Sequence, residues 1–102
     1  MVKKRKQPKK VEIRFDTTLF DIEKTPRDQA CKILEEAAET FSAVERFEIF
    51  RDDPSKRWDV LDEIADVIQA ALNLAYKIEF DAFDIDEAMT LCEKKNKERG
   101  RC

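Results

Sequence analysis

Histidine is absent from this chain of 102 residues. That gap alone removes imidazole bases, Ser-His and Cys-His nucleophile pairs and histidine-built zinc sites. Glycine occurs once, as Gly100. Phosphate-cradling loops and the dinucleotide fingerprint need backbone without Cβ, so both are excluded, and turn-rich β architecture with them. The three cysteines, Cys31, Cys92 and Cys102, show no C-x-x-C spacing. Free thiols in a reducing compartment are the expectation. No apolar run approaches the ~20 residues of a membrane span, and no apolar segment follows the charged N-terminus as in a signal peptide. A soluble, cytoplasmic, single-domain protein is expected.

What the chain has in abundance is charge, unevenly spread. Lys3, Lys4, Arg5, Lys6, Lys9 and Lys10 give the first ten residues +6, which leaves −9 for the rest of a −3 chain. Residues 1–10 read as a basic disordered tail, with a nucleic-acid contact or a targeting signal as the sharper alternative. The acidic remainder, 11–102, does not look like a nucleic-acid platform.

Beyond the tail, Val11 to Phe15 alternates apolar and polar residues, as a short extended arm would. Thr25 as N-cap, with Pro26 at the first helical position and Asp28 three residues on, opens a helix. Ala30, Ile33, Leu34, Ala37, Phe41, Val44 and Phe47 recur at helical spacing and carry it to about Phe50. Asp52-Asp53-Pro54-Ser55 breaks it and starts a second helix that runs to about Glu79. Residues 80–84 read as a connector, followed by a third helix from Asp84 or Asp86 to Gly100. The second helix carries Leu61, Ile64, Ala65, Val67, Ile68, Ala71, Leu72, Leu74, Ala75 and Ile78, about half of its circumference. One neighbouring helix cannot cover that much. The predicted fold is therefore an all-α bundle of about three main helices per chain, completed by self-association as a homodimer or homotetramer.

Two acidic clusters stand beside these apolar faces: Glu35-Glu36-x-x-Glu39 on the first helix and, after 23 intervening residues, Glu63-x-x-Asp66 on the second. On a wheel with Glu35 at zero, Glu39 falls at ~40° and Glu36 at ~100°, closest to the apolar arc. A short connection favours antiparallel packing, which lets the two clusters face each other. Carboxylates placed beside a core repel one another and resist losing water. A hard divalent cation relieves both problems, and oxygen-only ligation suits Mg²⁺ or Mn²⁺. Such ions commonly hold polyphosphates.

Lys32, Glu35-Glu36-x-x-Glu39, Glu63-x-x-Asp66 and then Lys95-Asn96-x-x-Arg99 resemble the MazG-like branch of the all-α nucleoside triphosphate pyrophosphohydrolases. The resemblance runs over about residues 25–101, omits the tail, and includes the small residue before the third glutamate, here Ala38. It implies that Glu36, Glu39, Glu63 and Asp66 hold Mg²⁺. It also implies hydrolysis of a (deoxy)nucleoside triphosphate to monophosphate and pyrophosphate. Glu35 is the candidate to orient and deprotonate water, and Lys32, Lys95 and Arg99 are candidates to bind the substrate's phosphates.

Blander roles exist for each of these residues. Lys32 fits an intrahelical ion pair with Glu36, and cations near a helix C-terminus complement its dipole whatever the function. Asn73 shares a stripe with Asp66 and Gln69 that reads as a solvated polar face, and Trp58 reads as packing. A non-catalytic helical interaction module, or a nucleic-acid-associated protein acting through the tail, is the alternative to the enzyme.

Overall fold

The computed structural model describes residues 9–19 and 23–100. Most of the basic tail therefore lies outside the described residues. Three helices follow in order: α1, Pro26–Ile49; α2, Pro54–Lys77; and α3, Ala82–Glu98. No strand occurs among the described residues. Residues 11–15, expected as an extended arm, carry no regular structure and expose Val11, Ile13 and Phe15.

Each helix starts where a short polar side chain can satisfy orphaned backbone N–H groups. Thr25 Oγ1 accepts from the Asp28 N–H at 3.1 Å, with Pro26 in the first turn. Asp53 Oδ1 accepts from both the N–H and the hydroxyl of Ser55. The third helix begins earlier than expected. Asp81, not Asp84, is its N-cap, and the two form a reciprocal capping box. What reads as connector is thus already the first turn of α3.

These contacts hold Asp53 below the usual carboxylate range, chiefly through the Ser55 hydroxyl. Asp81 is lowered chiefly by the Asp84 N–H. For a carboxylate lowered by folding, the stability is present above its unfolded pKa and is lost as pH falls through the folded value.

The end of α2 is less relaxed. The Phe80 N–H donates to the Ala75 carbonyl and the Glu79 N–H to the Tyr76 carbonyl, a Schellman pattern. Its left-handed position is occupied by Glu79, at φ 70°, where glycine is the unstrained choice. At the end of α3 that position is filled by Gly100, at φ 67°, in line with its expected role. Glu79→Gly should therefore stabilise the protein by about 0.5–1 kcal/mol, the relief of strain exceeding the added unfolded-state entropy. Thermal melting checks this, and an unchanged or lower Tm would mean that the strain does not exceed that entropy cost.

Two compact units are distinguished. One is Thr17–Phe80, and the other combines the described residues before Thr17 with those from Asp81 onward. Within the first, α1 and α2 form an antiparallel hairpin, because Gln29 near the start of α1 meets Ala70 late in α2 while Glu36 and Glu39 meet Glu63. The buried residues of α1 are Gln29, Glu36 and Ala43, spaced seven apart and so aligned on one face. Ala43, fully buried, and Ala70 are small enough to let the two backbones approach. Gln29 Nε2 donates to the Ala70 carbonyl at 3.2 Å, a buried tie between the helices.

The large apolar residues behave differently. Leu34 and Phe41 are 71% and 67% exposed, and Ile49, Leu61, Ile64 and Ile68 also stand open to solvent. On the α1 wheel Leu34 and Phe41 lie ~140–180° from the Glu36–Ala43 face, so they point away from α2. The hairpin buries Gln29, Glu36, Ala43 and Ala70, keeps Ile33, Val44, Phe47, Val67 and Leu74 half-buried, and leaves Leu34 and Phe41 outward. The second unit is more open still: α3 buries no residue, and Phe83 is among its exposed side chains.

Candidate metal centre

Helical spacing and the antiparallel pairing of α1 and α2 set the site. Glu36 and Glu39 lie almost one turn apart on α1, and Glu63 comes to meet them from α2. One carboxylate oxygen from each of Glu36, Glu39 and Glu63 lies within 4.8 Å of the other two. Opposite ligands of an octahedral Mg²⁺ stand about 4.2 Å apart, so small side-chain movements would close this cradle on an ion.

The electrostatics of the cluster are unbalanced. Glu36, next to the apolar arc on the wheel, is only 6% exposed. Its Oε2 and the Oε2 of Glu63 are buried without a hydrogen-bond partner. Buried polar atoms are nearly always satisfied, and two such oxygens at one place call for a cation or a proton. The Glu36 charge, followed by desolvation and the Glu63 charge, holds the Glu39 carboxyl above the usual carboxylate range. The donor set is oxygen alone, on two different helices, with two lone-pair-bearing atoms left open. These residues fit a hard divalent cation.

The remaining acids are placed apart from this trio. Asp66 is exposed on α2, one turn beyond Glu63, and does not belong to the converging set. Glu35 is exposed on α1, with its Oε2 3.5 Å from Lys32 Nζ. The same ammonium lies 2.8 Å from Glu36 Oε1. The hydrogen bond to Glu36 and its charge raise the Lys32 pKa above the ordinary lysine value.

Lys95 and Arg99 lie at the end of α3, in the other unit, and are exposed. Lys95 sits in the last turn, and Arg99 is the C-cap, its N–H donating to the Lys95 carbonyl at 3.0 Å. Asn96, between them, is half-buried.

The stripe expected as a solvated polar face is partly occupied. Gln69 Nε2 donates to the Thr18 carbonyl at 3.1 Å and to Asn73 Oδ1 at 3.0 Å, and Thr17 Oγ1 donates to Gln69 Oε1. These amides pin the segment before α1 onto α2. The signal available in the sequence was the i, i+4 spacing of Gln69 and Asn73, which gives no hint of what the pair binds. Trp58, read as packing, is 60% exposed. Cys31 and Cys92 are free thiols, and Cys102 lies outside the described residues. Among the described residues no helix is long and apolar enough to cross a membrane.

Comparison with known proteins bears out the family resemblance. The family model of the MazG nucleotide pyrophosphohydrolase domain matches residues 24–101, which takes in all three helices. No curated protein and no solved structure matches the chain.

Proposed function

The chain belongs to the MazG nucleotide pyrophosphohydrolase family, and from that premise we propose that it hydrolyses (deoxy)nucleoside triphosphates between the α and β phosphates. The products are a nucleoside monophosphate and pyrophosphate. The observation that carries this reading is the convergence of Glu36, Glu39 and Glu63, with two of their buried oxygens left unpartnered.

In this reading Glu36, Glu39 and Glu63 hold Mg²⁺ or Mn²⁺, with Asp66 as a fourth ligand one turn from Glu63. When bound, the ion supplies charge neutralisation at the α-phosphoryl group and the departing pyrophosphate. Glu35 lies on the solvent side of α1, where its carboxylate can orient a water and take its proton. Lys95 and Arg99 offer cations to the triphosphate, Arg99 through a planar fork suited to phosphate oxygens. Lys32 offers a third cation next to the acids.

Self-association belongs to the same proposal. The outward apolar faces of α1 and α2 are what a bundle shared between copies would bury, as a homodimer or homotetramer. Cytoplasmic residence is part of the same proposal.

The direct test is the full chain with Mg²⁺ and a panel of dNTPs and NTPs, separating pyrophosphate from orthophosphate. Monophosphate and pyrophosphate should appear in equal amounts, and only with the divalent ion. Orthophosphate release, or no turnover on any nucleotide, would overturn the reading.

A further inference from the structure

We propose that Lys32 is the built-in counterion of the metal-free acid cluster, displaced from Glu36 when a divalent cation enters and so released toward the bound triphosphate. This rests on the metal-centre reading above and assigns the lysine two successive partners.

The geometry points to it in three ways. First, Lys32 Nζ lies 2.8 Å from one oxygen of a glutamate side chain that is only 7% exposed. A buried carboxylate without a countercharge is strongly unfavourable, so this contact makes the ion-free arrangement tolerable. Second, the pairing is incomplete: Glu36 Oε1 is held while Glu36 Oε2 is buried and unpartnered. The ammonium thus offsets part of the cluster's charge and leaves one coordinating atom open.

Third, the order of the pair is not the one that helix stabilisation favours most. Lysine four residues before glutamate is the weaker orientation against the helix dipole, and glutamate before lysine is the stronger. The chain uses the stronger order at Glu93 and Lys97, an exposed pair 3.2 Å apart on α3. At Lys32 the order is reversed and the partner is buried. Lys32 also touches Glu35 at 3.5 Å, so one ammonium serves two of the three acids of the first motif.

A monovalent ammonium and a divalent ion then compete for the same carboxylate charge. With Lys32 on Oε1, a cation entering at the open Oε2 meets the repulsion of the ammonium, which is relieved as the ammonium moves away. Once displaced, its side chain, already 39% exposed, can swing to the solvent side, where a polyphosphate would lie. Ligand binding and counterion release become one exchange.

The test uses the full chain without nucleotide, comparing wild type with Lys32→Met and Lys32→Arg. Mn²⁺ binding is read from the free-ion electron paramagnetic resonance signal, and metal-free and Mn²⁺-loaded Tm from thermal melts. Lys32→Met should bind Mn²⁺ about three- to tenfold more tightly, the repulsion of a neighbouring cation having gone. Its metal-free Tm should fall, its Mn²⁺-induced rise should grow, and added salt should shrink the difference in affinity. Lys32→Arg, which keeps the charge, should resemble wild type. Unchanged or weaker Mn²⁺ binding by a folded Lys32→Met would overturn the counterion role, whatever its Tm. Absence of Mn²⁺ binding by wild type would instead overturn the metal-centre reading beneath it.

Discussion

Glu39→Gln is expected to lower kcat by at least ~100-fold and at the same time to raise the Tm of the metal-free protein. The first effect follows from the proposed ligand role. An amide is isosteric with the carboxylate but neutral, and charge stabilisation of a phosphoryl transition state commonly contributes 10²-fold or more per group. The second follows from the raised carboxyl, which faces the Glu36 and Glu63 charges. A carboxylate whose pKa is raised by folding binds its proton more tightly in the native state. Its contribution to stability is therefore greatest at low pH and declines as pH rises through the raised value. Above that value the native cluster must tolerate another charge, and glutamine removes the burden. The pH dependence of the metal-free Tm should flatten in the variant over that window. The capping carboxylates Asp53 and Asp81, being lowered, act in a more acidic window and should be untouched. Saturating Mg²⁺ should reverse the order of stability, since an ion that binds only the native wild-type site stabilises it by mass action. Turnover retained in Glu39→Gln would remove this residue from the ligands, and an unchanged metal-free melt would deny the crowding of charge.

The helices were legible because their signals are local. Caps at Thr25 and Asp53, prolines after them and Gly100 at the far end all act within one turn of the residue that carries them. The start of α3 is not fixed by such a signal alone. Asp81, Asp84 and Asp86 are all competent N-caps, and only the reciprocal bonds of the box choose among them. The inner seam of the hairpin was less visible. Hydrophobic periodicity selects Leu34 and Phe41, which are exposed, along with Ile33, Val44 and Phe47, which are half-buried, whereas the buried residues of α1 are Gln29, Glu36 and Ala43. A glutamine, a glutamate and an alanine form no apolar stripe, so a pattern search passes over them. The acidic pattern placed Glu36 at the border of the core, and it is buried there. It could not tell that Asp66 stands outside the trio, because a side chain one turn away shares the motif without sharing the contact. Nor could spacing show the Gln69 amide holding Thr17 and Thr18, a contact between residues over fifty positions apart.

Converting two outward side chains of α2 to acids, in a Leu61→Glu, Ile68→Glu variant, should reduce the protein to single chains of 12.0 kDa. Both residues lie one heptad apart on the side of α2 turned from Glu63 and Ala70, and both are between 40% and 50% exposed. With Leu34 and Phe41 on the outer side of α1, the hairpin leaves large aliphatic and aromatic side chains open to water on both helices. A soluble monomer rarely carries so much, and a shared bundle removes the conflict. Full burial of a leucine or isoleucine contributes about 1.5–3 kcal/mol, so covering the part still exposed contributes about half of that, and a two-fold axis counts each side chain twice. Losing both should cost association about 3–6 kcal/mol, ~10²–10⁴-fold in dissociation constant. Introduced glutamates would also meet their own symmetry mates and repel. Light scattering coupled to gel filtration reads the mass directly, and helicity at 222 nm separates dissociation from unfolding. Turnover should fall with the mass, because Glu63 projects from the same helix whose other side loses its support. A wild-type chain that already elutes at 12.0 kDa at assay concentrations would sink the shared-bundle proposal. It would leave the acid cluster to function within a single hairpin.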